Sequence, residues 1–143
     1  MKHRILLIAL TLITFSCSNN DDDNNGGQNN CDFETIISEE QFENAPSDQV
    51  VINSLNIENG CLEISFSASG CSGNTWEVKL IDSESVFLSN PPQRNLRLSL
   101  KNEELCDAFF TRVLSFDITN LQVDSDGVLL NITNSDGSIL YEY

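Results

Sequence analysis

The sequence predicts an all-β fold: an antiparallel sandwich, or a small barrel, of about 7–8 strands with one short helical turn near its N-terminal end. Two observations predict it. From residue 51 onward, apolar side chains recur at almost every second position, the pattern of strands with one buried and one wet face. Turn-forming pairs separate these runs: Asn59-Gly60, Ser72-Gly73, Asp126-Gly127 and Asp136-Gly137. Asp-Gly and Asn-Gly supply the positive φ that tight hairpins need.

Taken in order, Phe33–Ile37 reads as a first strand. Ser38-Glu39-Glu40-Gln41 then matches a capping box and predicts one helical turn to about Asn44, stopped by Pro46. Val51–Ile57 is β-branched and rich in Asn, with Leu55 and Ile57 on one face. In the next runs, Leu62, Ile64 and Phe66 alternate with Glu63, Ser65 and Ser67, and Trp76, Val78 and Leu80 with Glu77 and Lys79. Leu96, Leu98 and Leu100 follow, then Leu114, Phe116 and Ile118, then Val128, Leu130 and Ile132, and last Ile139, Tyr141 and Tyr143. Asp126-Gly127 and Asp136-Gly137 are each expected to close a hairpin. Asn102–Phe110 fits either a short helix or a loop leading into a strand.

Composition narrows the chemistry. The 143 residues hold 7 Lys and Arg against 22 Asp and Glu, a net charge of −15. Such a chain repels nucleic acid and anionic headgroups, so no nucleic-acid partner is expected. The one histidine is His3, within the apolar leader described next, which leaves the remainder without a His base or a His metal ligand. No catalytic residue, metal or cofactor is assigned. Carboxylate-only hydrolysis is the one enzymatic alternative.

The N-terminus carries the most specific signal. Lys2, His3 and Arg4 precede an apolar run from Ile5 to Phe15. That run suits the core of an export signal and falls short of the roughly 20 residues a spanning helix needs. Cys17 follows directly, and residues 18–30 contain only Ser, Asn, Asp, Gly and Gln. A segment without apolar side chains cannot offset its ordering entropy and is expected to act as a tether. The expected organisation is therefore a signal peptide over 1–16, Cys17 and an acidic tether over 17–30, and a β-sandwich domain over 31–143. Loss of Lys2 and Arg4 with the leader would shift the net charge from −15 to −17.

Residues Ser16-Cys17-Ser18, with the Asn- and Asp-rich run behind them, resemble the lipoprotein signals of Bacteroidota. The resemblance implies that Cys17 becomes the new N-terminus and carries acyl chains, with Asp21, Asp22 and Asp23 placed as in proteins displayed at the cell surface. Thr14 and Phe15 depart from the usual Leu and small residue of that motif. Ordinary cleavage to a secreted protein is the alternative. The segment from Asn53 is similar in style to uncharacterised β-rich lipoproteins of flavobacterial type, through Cys61-Leu62, Ser69-Gly70-Cys71, Asn90-Pro91-Pro92-Gln93 and Leu114–Ile118. This resemblance brings no activity and no catalytic residue.

With Cys17 set aside, Cys31, Cys61, Cys71 and Cys106 form an even set in a chain read as exported, which points to two disulfides. Four cysteines allow three connectivities. Cys31–Cys61 and Cys71–Cys106 are favoured because the members of each pair lie in similar positions beside strands. Buried free thiols remain the alternative.

The candidate binding loop is Pro91, Pro92, Gln93 and Arg94: two prolines stiffen it and Arg94 offers charge. A competing reading makes the prolines the guard of an edge strand. Trp76, in phase with Val78 and Leu80, is expected in the core. Asp124-Ser125-Asp126-Gly127 lacks EF-hand spacing and reads as a turn, although surface carboxylates could hold calcium in another arrangement. The Asn131-Ile132-Thr133 sequon is discounted on a strand. The expected whole is a monomeric, lipid-anchored envelope protein at the outer membrane or cell surface, bound to the membrane through Cys17. Its expected role is non-catalytic binding of a protein or glycan, with a structural or accessory role as the alternative.

Overall fold

A computed structural model describes residues 30–143; the expected signal segment, Cys17 and most of the tether lie outside that range. Among the described residues the chain forms nine strands in two sheets that face each other across one core. The first sheet has the order β1-β7-β4-β3, from Phe33–Glu34, Ala108–Asp117, Cys61–Gly70 and Val51–Glu58. The second has the order β2-β5-β6-β8-β9, from Ile36–Ile37, Glu77–Phe87, Gln93–Lys101, Gly127–Ile132 and Ser138–Glu142. The fold is an all-β sandwich and not a closed barrel.

The alternation read from the sequence is the burial seen in the core. Leu62, Ile64, Phe66, Leu80, Leu96, Leu98, Leu100, Phe116, Ile118, Val128, Leu130 and Ile132 are all buried. Trp76 joins them, its ring centroid 6.1 Å from that of Phe66. Tyr143, in phase with buried Tyr141, is exposed instead; its hydroxyl accepts from Val123 N and donates to Val123 O beyond the end of the core.

Four expectations need correction. The sheets are mixed, because β1–β7, β2–β5 and β6–β8 pair in parallel. Phe33–Ile37 is not one strand. The chain pairs with β7 over Phe33–Glu34 and then crosses to pair with β5 over Ile36–Ile37, with Thr35 buried at the crossing. Asp126-Gly127 closes no hairpin, since β7 and β8 belong to different sheets and a short 3-10 turn at Thr119–Leu121 lies on the path between them. Nor do the prolines guard an edge. The Pro92 carbonyl accepts from Leu129 N at 2.8 Å, and β6, which starts at Gln93, lies inside its sheet between β5 and β8.

Other local readings hold. Ser38 caps α1 (Glu39–Asn44), its hydroxyl accepting from Gln41 N at 3.2 Å, but its own N–H donates to Asp82 O, so the reciprocal half of the capping box is not made; Ala45 leaves the helix just before Pro46. Asn59 and Gly60, with φ of 51° and 76°, turn β3 into β4. Asp136-Gly137 lies in the β8–β9 hairpin. The uncertain stretch Asn102–Asp107 is a loop, and β7 begins at Ala108.

The cysteines pair as Cys31–Cys61 and Cys71–Cys106, with Cα separations of 5.7 and 4.8 Å. The loops they close span 30 and 35 residues, each worth about 3–4 kcal/mol on loop-entropy grounds. The second bridge brings Glu104 onto the turn after β4. Its carboxylate accepts from the backbone N–H groups of Cys71, Ser72 and Gly73, the last two at 2.9 and 3.0 Å, and from the Thr75 hydroxyl at 2.8 Å. A Cβ on Gly70 would lie 2.5 Å from Glu104 Oε2 and 3.1 Å from the Trp76 ring, so only glycine fits there. The Gly73 and Ser72 N–H groups, foremost among these donors, hold the Glu104 carboxyl down at about 2, against an ordinary value of 4.5. A depressed carboxylate pKa contributes stability that is complete above the unfolded value and is lost as pH falls through the folded one. We expect the Glu104 side-chain carboxyl carbon to titrate by NMR with a midpoint near 2. A midpoint near 4.5 would show that this cradle does not form in solution.

Candidate functional site on the outer face of the second sheet

The outer face of the β2-β5-β6-β8-β9 sheet is covered over part of its area and bare over the rest. Because Leu96, Leu98 and Leu100 point into the core, Gln93, Asn95, Arg97 and Ser99 point out. Helix α1 covers the Arg97 end. Arg97 donates to Gln41 O and Ala45 O at 2.9 and 3.2 Å and lies 5.8 Å from the Phe42 ring centroid. Ser99 donates to Pro46 O at 2.7 Å.

At the end nearer the β5–β6 turn, no element among the described residues gives such cover. Strand register aligns Phe87, Gln93, Leu129 and Leu140 in one rung across β5, β6, β8 and β9. The next rung along β6, β8 and β9 is Asn95, Asn131 and Ser138. Phe87 and Leu140 are 50% and 46% exposed, while Gln93, Asn95, Leu129 and Asn131 are half-buried. The result is a mainly apolar rung beside a polar row of two amides and a serine. The amides are tied together: Asn131 Nδ2 donates to Gln93 Oε1 at 3.1 Å and to Asn95 Oδ1 at 3.4 Å, and Gln93 Nε2 donates to Ser89 Oγ at 3.0 Å. Next to Leu140 lies a hollow of about 250 Å³ lined by Asn90, Pro91, Ser125, Asp126, Gly127 and Glu142. A larger hollow of about 490 Å³ opens where the β3 edge faces the β8–β9 hairpin, and Ser138 lies on its lip.

The sequence-predicted loop is therefore divided by the fold. Pro91 lines the smaller hollow and Gln93 belongs to the apolar rung. Arg94 points the other way, into the sandwich. It is 9% exposed and donates to Asp82 Oδ1 at 2.8 Å, with Asp82 fully buried. Its expected role as a binding contact is corrected to a structural one. Burial raises the Asp82 pKa, opposed by the nearby Arg94 charge. Sequence reasoning placed Leu129 and Asn131 on the wet face of their strand but named neither of them, nor Phe87, Asn95 or Leu140, as a site residue. Their one sequence-level mark was position: each is out of phase with the core residues of its strand, on the wet face.

Every cation of the described residues is engaged by the protein itself. Lys79 donates to Gln41 Oε1 at 3.5 Å, Lys101 pairs with Glu77 at 2.8 Å, and Arg112 donates to Gly73 O at 2.6 Å. With Arg94 and Arg97, these are all the Lys and Arg of the described residues. Asp126 and Glu142 edge the smaller hollow. Among the described residues, no group of three or more His, Cys, Asp or Glu is arranged to hold a metal ion.

No family profile and no curated protein matches the chain. Two solved structures resemble the fold. A protein of unknown function (DUF1344) from Bacteroides vulgatus superposes with a TM-score of 0.54 at 14% identity, covering 78% of this chain and 56% of its own. A putative toxin-related protein from Parabacteroides distasonis gives a TM-score of 0.48 at 15% identity, with 78% and 60% covered. The chain thus spans little more than half the length of either structure. At such identities the first likeness speaks for the fold alone.

Proposed function

We propose that this chain is a lipid-anchored, non-catalytic binding module of the bacterial cell envelope, and that the bare face around Phe87, Gln93, Leu140, Asn95 and Asn131 receives its ligand, a glycan or a protein. The observation that carries the anchoring is Cys17, a thiol set between an apolar export segment and a run of purely polar residues. Two or more acyl chains at that sulfur would hold the protein stably, since each buried methylene contributes about 0.8 kcal/mol. The Cys31–Cys61 and Cys71–Cys106 bridges support an oxidising compartment outside the cytoplasm.

The non-catalytic reading rests on the side chains at hand. The histidine lies in the leader, and the fully buried carboxylate, Asp82, is occupied by Arg94 and by the backbone N–H of Glu84 at 2.8 Å. The carboxylates near the bare face, Asp126 and Glu142, are exposed.

Replacing Cys17 tests the anchor. In cells fed a labelled fatty acid, the wild-type protein is expected to take up label and to sediment with membranes. Cys17→Ala is expected to take up none and to lose membrane retention. Equal labelling of the two proteins would remove Cys17 as the acceptor.

A further inference from the structure

We infer that the ligand of the bare face is a neutral saccharide, held by the amides of Asn95 and Asn131 with the apolar rung of Phe87 and Leu140 against its C–H surface. This rests on the binding reading above and names the chemistry of its ligand.

The hydrogen-bonding inventory leads there. A carboxamide offers two N–H donors and a carbonyl acceptor. Asn131 uses its Nδ2 on Gln93 and Asn95, which fixes the orientation of all three amides. Among the described residues, Asn131 Oδ1 and Asn95 Nδ2 have no protein partner, although both side chains are half-buried. A fixed acceptor beside a fixed donor suits vicinal hydroxyls, each of which both donates and accepts. Because the amides are already tied to one another and to Ser89, binding need not immobilise them.

The apolar side and the charge fit the same ligand. Phe87, Leu129 and Leu140 share a single rung with Gln93, which sets apolar side chains beside the amides. Acidic saccharides are disfavoured by Asp126 and Glu142 at the border and by the engagement of every Lys and Arg of the described residues with groups of the protein itself.

Size argues against a protein ligand. Four strands about 4.8 Å apart and two rungs about 7 Å apart define a patch of roughly 100–200 Å². A stable protein partner needs about 800 Å² on each side. The patch is the size of a short oligosaccharide.

The test uses the oxidised domain, residues 31–143 joined to an affinity tag, against an array of neutral and acidic glycans. Each neutral glycan retained would then be titrated against the domain by NMR and calorimetry. The expected result is retention of at least one neutral glycan, with shifts concentrated on the side-chain amides of Asn95 and Asn131. Phe87→Ala and Asn131→Ala should each weaken binding about tenfold or more, the scale of one lost stacking or hydrogen-bonded contact. Phe109→Ala, on the exposed face of the other sheet, should leave binding unchanged, and thermal unfolding of all three variants should show the fold intact.

Retention of acidic glycans only, or no neutral glycan able to shift these amides, overturns the inference. If the domain instead captures an envelope protein and loses it with Phe87→Ala, the saccharide is wrong while the binding face stands. If the variants alter no retention of any kind, the binding face falls as well.

Discussion

Arg94→Ala will destabilise the domain by about 3–5 kcal/mol, the usual cost of removing one partner from a buried ion pair. The Arg94 side chain is 11% exposed and that of Asp82 is fully buried, so solvent screens the pair little. Removing the guanidinium leaves the Asp82 carboxylate with the Glu84 N–H as its remaining partner in the structure. Oδ2 has no partner even in the intact protein. The pair itself is not a source of large net stability, because burial raises the Asp82 pKa despite Arg94.

The sign follows from proton binding. A carboxyl whose folded pKa lies above its unfolded value of 3.8 binds more protons in the folded state. Its contribution to stability therefore falls as pH rises through the interval between the two values. Without Arg94 that interval should widen upward. The variant should lose most stability near neutral pH and recover part of it in mild acid. Urea unfolding of wild type and variant at pH 7 and pH 5 measures both effects. An equal loss at the two values, or a loss below about 1 kcal/mol at pH 7, would mean that the pair is hydrated in solution. Replacing both partners by apolar residues, as in Asp82→Leu with Arg94→Met, should restore much of the loss, since a buried pair is often matched by well-packed hydrophobes.

Trp76→Ala is expected to cost about 3–5 kcal/mol, the range for deleting a large aromatic from a core. Trp76 is 7% exposed. It packs against Phe66, and the backbones at Gly70 and Gly73 approach its ring so closely that an added Cβ would lie 3.1 and 3.2 Å from it. Its loss should loosen the turn over Cys71–Gly73 that cradles Glu104 as well as open a cavity. The Glu104 carboxyl should then titrate above the value of about 2 it has in the intact protein. Denaturant unfolding and the NMR titration report the two effects separately. A Trp76→Ala protein as stable as wild type, with Glu104 unmoved, would show that the indole does not hold this end of the sandwich together.

Local chemistry was readable in the sequence, and long-range strand pairing was not. The period of two placed Leu62, Leu96, Phe116 and Leu130 inside, because burial of one sheet face imposes that period wherever the strand pairs. The Ser38 cap and the Asn59-Gly60 turn are short-range geometry set by adjacent residues. The crossing at Thr35, the parallel β6–β8 pairing and the path from β7 to β8 depend on which distant strand is met, and no local pattern encodes that. The bare face shows the same limit. Phe87 and Leu140 are 53 positions apart in the chain and share a rung only because β6 and β8 lie between their strands. Arg94 is the instructive case, since it is in phase with Leu96 and Leu98 and the alternation already pointed it inward. The Pro-Pro pair before it suggested an exposed loop, and the strand begins sooner than that loop would allow. Asp82, in phase with Leu80, was its partner in waiting.

Intact mass of protein extracted from its native membrane decides whether an acylated Cys17 anchors an oxidised β-sandwich. The expected mass is that of a chain that begins at Cys17, carries fatty-acyl mass at that residue and lacks the four hydrogens removed by the two disulfides. A chain that retains residues 1–16, or that begins at or beyond residue 17 with no acyl adduct, would contradict it.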